Sequence, residues 1–264
     1  MNGVTLCADD YSQSPAINQA IVALVEMRRV NAVSCLTLSP TWREDARTLR
    51  AVEPPQIGLH FNLTLPFNQS ERKVSAILAA SMLGTIDRKM IRAAFEKQWH
   101  AFIRETGASP DFVDGHQHVH AFPMIRDVIL ESISRFGSTC WVRTLQPPAG
   151  LPAGPFKQRL LERVSHPLAG QLAEAGLTTN QCFAGFRSYQ TAQGFRDSFR
   201  RWIVASGDHA LIMCHPGHPS NDTTDPIRKS RAEEFLYLTS DLFKSDCDAS
   251  GISLAAECHA SSVR

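Results

Sequence analysis

Four short stretches of this sequence collect side chains that can hold a cation or move a proton: Asp9-Asp10, His60 within Gly58-Leu59-His60-Phe61-Asn62, the run Asp114-Gly115-His116-Gln117-His118-Val119-His120, and His215 after Cys214. The adjacent carboxylates follow the apolar run Val4 to Ala8 and admit two readings. They cap the helix that comes next, or one binds a cation while the other stays free as a base, since neighbouring strand residues point differently. His60 by itself reads more readily as a hydrogen-bonded core histidine than as a ligand. The run from Asp114 says more. If it is extended, period-two geometry sets His116, His118 and His120 on one face. Three such rings repel when protonated and are poorly solvated when buried, and a cation accepting nitrogen lone pairs resolves both problems. Asp114 can then orient a ring from behind. His215 is either a free imidazole available as general acid or a turn residue before Pro216-Gly217. Cys214 should face the opposite way, so a cysteine–histidine dyad is not expected.

These residues need a scaffold that brings distant segments together. Strand and helix patterns alternate along the chain. Val4 to Ala8 leads through Ser14-Pro15, a helix cap and first-turn proline, into Ile17, Ala20, Ile21, Leu24 and Val25 at helical spacing. Ala32 to Leu38 reads as the next strand, Trp42 to Val52 as a helix stopped by Pro54-Pro55, and Gln56 to Leu63 as the third strand. Val74 to Thr106 reads as two helical pieces broken near Gly84. Phe112 to His120 is expected to be a strand, with a helix from Met124 to Phe136 after it. Cys140 to Arg143 is short and extended, and Pro147 to Pro155 reads as a loop with the character of a lid. A helix through Glu174, an extended piece at Gln181 to Phe183 and a helix over Thr191 to Ala205 follow. The pattern closes with a strand at Ala210 to Cys214, one helix over Pro226 to Lys244, and a strand at Ile252 to Ala255. About seven strand–helix units in one chain imply a parallel sheet covered by helices, closed or nearly closed into a barrel. In such folds chemistry gathers at the carboxyl ends of the strands, where all four stretches fall.

Composition narrows the function. With 264 residues, 43% hydrophobic and 20% charged, the chain has the makeup of an ordinary globular protein and the length of one α/β barrel. A formal net charge of +1 without a block of like charges argues against a nucleic-acid partner. The sequence shows neither a membrane-spanning apolar run nor a signal-peptide pattern, from which a cytoplasmic location is expected. The seven cysteines are scattered, with no Cys-x-x-Cys pair, and read as reduced and structural. A serine elbow, a Gly-rich phosphate loop and His-Glu-x-x-His are all missing. One domain over 1–264 is the simplest account.

Taken in order, the motifs resemble the YdjC/ChbG-type carbohydrate (chitooligosaccharide) deacetylases nearly end to end. Ala8-Asp9-Asp10-Tyr11 is similar to that family's opening Ala-Asp-Asp-Phe. Gly58 to Thr64, Asp114 to His120 with Phe122-Pro123, Met213 to Gly217, and Arg231-x-x-Glu234 complete the series. The family commonly has glycine where Ser12 stands and histidine where Gln117 stands. The resemblance implies a distorted (β/α) TIM-like barrel, often dimeric, that removes acetyl groups from N-acetylated sugars with one divalent metal ion, Mg²⁺ or Zn²⁺. Carried over by position, Asp10, His60 and His116 are the expected metal ligands, and Asp9 the base. His215 is the expected acid. Tyr11, Phe61 and Phe186 are expected to stack on sugar faces, with Asn62, His118 and Arg143 hydrogen-bonding hydroxyls. Two rivals are an esterase or phosphoester hydrolase on the same scaffold and a glycan-binding protein without turnover.

Overall fold

A computed structural model describes residues 2–67, 72–152, 154, 156–187, 189 and 194–254. Thr191, Pro155, Ala255 and Cys258, which bound or belong to features expected above, lie outside the described residues.

The expected alternation is present. Strands β1 (Asn2–Tyr11), β2 (Ala32–Cys35), β3 (Ile57–Phe61), β4 (Phe112–Gly115), β5 (Trp141–Val142), β6 (Cys182–Ala184), β7 (Ala210–Cys214) and β8 (Ile252–Leu254) form a single parallel sheet. Its order is β5-β4-β3-β2-β1-β7-β6, and β8 joins β1 at Asn2 to Val4. Among the described residues no ladder joins β5 to β6. Loop contacts span that seam: Val142 N donates to Thr178 O at 3.0 Å, and the Asn180 side chain pairs with the backbone of Thr144. The result is a distorted (β/α) barrel with one open seam. Nearly all residues of β2, β3, β4 and β7 are buried, as expected when both faces of a parallel sheet are covered.

The covering helices are α1 (Pro15–Glu26), α2 (Trp42–Ala51), α3 (Val74–Met82), α4 (Arg88–Thr106), α5 (Ile125–Arg135), α6 (Phe156–Ser165), α7 (Pro167–Glu174), α8 (Phe195–Ala205), α9 (Arg228–Thr239) and α10 (Asp241–Ala249). In α1 the buried residues are Ile17, Ala20, Ile21, Leu24 and Val25, the stripe read from the sequence. Asp87 caps α4 by accepting from Lys89 N and Met90 N, and Gly107 ends it in the left-handed region.

Three elements differ from expectation, the first being the helix expected to run through Glu174, which is two, α6 and α7, with Pro167 opening the second. The single helix expected over 226–244 is two, parted at Ser240, whose backbone is extended. There the Thr239 and Ser240 hydroxyls bond to the carbonyls of Phe235 and Tyr237, competing with continuation of the helix. The strand expected to run to His120 stops at Gly115. His116–Ala121 is a tight 3₁₀ turn with Gln117 and His118 at φ of 52° and 62°. Gly115 permits this fold-back, since a Cβ there would sit 3.0 Å from His120 N. The three histidines therefore do not share a face.

Candidate active site

Strand β1 carries the irregularity on which the site depends. Its pairing with β2 slips between Ala8 and Tyr11, so Asp9 and Asp10 sit in a bulge, and Asp10 has a φ of 70°. Bulges near sites re-aim side chains. Here the two carboxylates turn to different partners, and both are buried. Ser12, at φ 74°, has the left-handed geometry that a glycine accepts without strain. Its hydroxyl donates to Asp45 at 2.6 Å, an interaction that offsets the backbone cost. A Ser12→Gly variant should change unfolding free energy by no more than about 1 kcal/mol, since the two effects are of similar size and opposite sign. Urea titration checks this.

Asp10 Oδ1 lies 2.8 Å from His116 Nδ1 and 3.3 Å from His60 Nε2. One donor atom from each of Asp10, His60 and His116 lies within 4.8 Å of the others. The other Asp10 oxygen accepts from Arg231 Nη2 at 2.7 Å, and Arg231 Nε is held by Asp225 at 2.6 Å. Burial pushes the Asp10 carboxyl up, but Arg231 and His116 outweigh it and hold its pKa well below the usual range.

Parallel pairing of β3 with β4 places His60 opposite Asp114. His60 Nδ1 donates to Asp114 Oδ1 at 2.7 Å, and Ser34 Oγ donates to the same oxygen at 2.5 Å. The Nδ1 proton is thus fixed, and Nε2 is the end presented to Asp10. Burial lowers the imidazole's pKa, yet Asp114 and Asp10 prevail and raise it to about 10. Asp114 does orient a ring, as expected, but the ring belongs to the neighbouring strand.

Asp9 is gripped by both terminal nitrogens of Arg143, each at 2.7 Å. Arg143 also reaches Asp114 at 2.5 Å and has no solvent exposure. The sugar-hydroxyl contact expected of Arg143 is thereby corrected: its guanidinium is spent behind the site, orienting the Asp9 carboxylate. Cys7, Asp9 and Asp114 also bring three potential ligand atoms together, but the Arg143 cation already fills that acidic corner. Removing Arg143 leaves the buried Asp9 carboxylate without its counter-ion and takes one of two cationic partners from Asp114, which keeps His60. Arg143→Leu is expected to destabilise the fold by about 3–5 kcal/mol, measured by urea unfolding.

His215 follows β7 and is half-buried. Its backbone N–H donates to Glu234 Oε2 at 2.5 Å, and its ring Nδ1 lies 3.2 Å from the Tyr189 hydroxyl. Burial lowers its pKa despite the nearby Asp10, Asp9 and Glu234. Cys214 points away, its thiol directed at the Cys7 carbonyl. Burial likewise raises the thiol pKa of both Cys7 and Cys214, and the six described cysteines are free.

The remaining expected contacts divide. Tyr11 is buried with its hydroxyl on Asp45 O, and Phe61 packs edge-on against Phe95, so neither presents a face to a sugar. Asn62 is turned inward, its carboxamide accepting from Thr64 N and Leu65 N. The stacking and hydroxyl-binding roles expected of these three are corrected to core and loop roles. His118 is buried against Phe183 and Phe186, with ring centroids 5.7 and 4.9 Å away. His120 Nε2 donates to Arg143 O, and burial lowers its pKa to about 4. Gln117 is exposed, consistent with a side chain facing away from the cluster.

Sequence reading did not foresee Ser34, Asp225, Tyr189 or the contact between Arg231 and Asp10. The spacing Arg231-x-x-Glu234 did carry a signal, since residues three apart share a helix face. In α9 that face reaches Asp10 through Arg231 and the His215 backbone through Glu234.

A family model described as YdjC-like protein matches residues 3–249. The chain belongs to the YdjC-like family. It is 25% identical over 290 residues to a human carbohydrate deacetylase, covering 96% of this chain and 89% of that protein. It is 26% identical over 134 residues to a chitooligosaccharide deacetylase of Proteus mirabilis, covering 47% and 52%. Among solved structures, a protein of Enterococcus faecalis assigned to cellobiose-phosphate cleavage superposes with a TM-score of 0.69 at 18% identity, over 99% of this chain and all of that one. A peptidoglycan N-acetylglucosamine deacetylase has the same general fold, with a TM-score of 0.51 at 10% identity over 96% and 85% of the two chains. Family membership agrees with the resemblance read from the motifs, and the fold agrees with the barrel it implied. In this YdjC-like chain no described helix is long and apolar enough to cross a membrane.

Proposed function

We propose that this protein is a metal-dependent deacetylase of N-acetylated sugars, chitooligosaccharides or related glycans, with Asp10, His60 and His116 as the metal ligands. The observation that carries the reading is the convergence of these three donors within 4.8 Å beside a second buried carboxylate, Asp9. The donor set suits the ion. One carboxylate oxygen and two imidazole nitrogens, one ring fixed by Asp114, match the ligand chemistry of divalent transition metals and leave positions for water and substrate. Softness favours Zn²⁺, and the resemblance adds Mg²⁺.

A bound divalent cation would supply a water of lowered pKa and polarise the amide carbonyl. The chain's own residues do the proton work. Asp9 accepts the proton of the attacking water. With two of its roughly four lone-pair sites on Arg143, the carboxylate is aimed and still has acceptor capacity. His215 protonates the departing amine, which otherwise leaves poorly. Its lowered pKa makes the protonated ring a ready donor, and Glu234 and Tyr189 fix its position. Arg231 occupies one Asp10 oxygen and directs the other toward the two imidazoles.

The test is acetate release from N-acetylglucosamine oligomers with and without chelator, beside phosphoester and simple ester substrates. Chelator-sensitive acetate release confined to the N-acetylated sugars supports the reading. Phosphate release, or sugar binding with no turnover, refutes it.

A further inference from the structure

Arg187 lies between β6 and α8, and its side chain touches both groups that hold His215. The approach starts at Gly185, whose φ is 127°. A Cβ there would sit 2.7 Å from the Met213 carbonyl oxygen, so a side chain would push the chain leaving β6 away from the end of β7. The Arg187 side chain is only 6% exposed. Its Nη2 donates to the Ser230 hydroxyl, to Glu233 Oε2 at 3.1 Å and to Glu234 Oε1 at 3.1 Å, all on α9. The other Glu234 oxygen accepts the His215 backbone N–H. The guanidinium also stands 5.2 Å from the centroid of the Tyr189 ring, within cation–π range, and the Tyr189 hydroxyl meets His215 Nδ1. The two supports of His215, one on its backbone and one on its ring, converge on one guanidinium.

The geometry points to Arg187 as a positioning residue for the acid step, bracing Tyr189 and Glu234 together and through them the His215 imidazole. This rests on the deacetylase reading above and names the residue behind its acid. A protonated imidazole donates from both nitrogens, so the Tyr189 oxygen accepts from Nδ1 and the Nε2 proton is the one that passes to the departing amine. Once that proton has left, the ring keeps Nδ1–H on Tyr189, and no rotation is needed. Among the described residues the hydrogen-bond partners of Arg187 are on α9, and none is Asp10, His60 or His116. It acts on the acid and not on the cation. A lysine would keep the charge but present a point where the planar fork meets three acceptors and a ring face.

The experiment places Arg187→Lys in the wild-type protein and in a His215→Asn background. In acetate release from N-acetylglucosamine oligomers, Arg187→Lys is expected to lower kcat by about tenfold or more, since small misplacements of a reacting group are costly. KM and the calorimetric cation affinity should each stay within about twofold. In the His215→Asn background the same change should lower the residual kcat by less than about twofold, because the residue it positions has gone. Nitrogen-15 NMR of labelled histidine in the cation-free protein, at a pH where the ring is neutral, reads His215 directly, its signal assigned by loss in His215→Asn. The wild type should show one tautomer with the proton on Nδ1, and Arg187→Lys a mixture. Thermal unfolding identifies a variant that fails to fold. The wild-type spectrum then still decides, since a mixed tautomer there means that His215 is not held and overturns the proposal. An unchanged kcat in folded Arg187→Lys, or a loss of full size in the His215→Asn background, also overturns it. If the wild type releases no acetate, the deacetylase reading falls, and an unchanged His215 spectrum in Arg187→Lys separately removes the role of Arg187.

Discussion

Substitution of His116 by alanine is expected to weaken divalent-cation binding by more than about 100-fold, beyond the 10–100-fold typical of losing an outer-shell partner. Deacetylation should fall with it. His116 is the ligand whose removal disturbs least else, because it is half-buried and, among the described residues, its hydrogen bond is with Asp10. Asp10 keeps its Arg231 partner in the variant, and His60 keeps Asp114. Titration calorimetry on the folded variant gives the affinity directly. Unchanged binding would remove His116 from the ligand set.

The same titration has a defined pH dependence. In the cation-free protein the His60 pKa is raised to about 10, because Asp114 and Asp10 outweigh burial. Below that value the ring carries a proton on the nitrogen the cation needs. Binding must therefore release a proton, and apparent affinity should rise by about tenfold per pH unit up to that pKa. A flat profile between pH 6 and 9, with buffer-independent heats, would mean that His60 is not displaced from its proton and is not a ligand.

Asp9→Asn is expected to lower kcat by about 10²–10⁴-fold, the usual contribution of a general base. Cation affinity should be nearly unaffected, because Asp9 is not among the three converging donors. The amide keeps the side-chain shape and one acceptor for Arg143, whose contact with Asp114 is untouched. The separation between loss of rate and retention of cation distinguishes a base from a ligand. If Asp9→Asn retained its rate, the proton would have to go elsewhere. If it lost the cation, Asp9 would belong to the ligand set.

The motifs located the candidate site because each polar residue interrupts an apolar run at a strand end, where packing alone does not account for it. Asp9-Asp10, His60 and His215 stand out for this reason, and the alternation of strand and helix tells which ends must meet. Histidine identity was legible too, since few structural needs call for three in five residues. What local pattern could not supply was direction. Period two assumes an unbroken strand, and a bulge at Asp9-Asp10 and a left-handed turn at Gln117-His118 both break it. Those departures send Asp9 to Arg143 and divide His116 from its two neighbours.

Partners across the barrel were equally hidden. Tyr11, Phe61 and Asn62 sit beside the right residues in sequence, yet their side chains face the core or their own loop. Arg143 looked like a substrate contact and proved to be a buried counter-ion, because strand register sets its guanidinium between Asp9 and Asp114. The sequence by itself determined the residue types, their order and the parallel α/β scaffold, all of which follow from local periodicity and chain connectivity. Only the tertiary structure decided which charge neutralises which. That depends on register between strands far apart in the chain, and a buried charge takes whatever opposite charge the packed core brings within hydrogen-bonding distance.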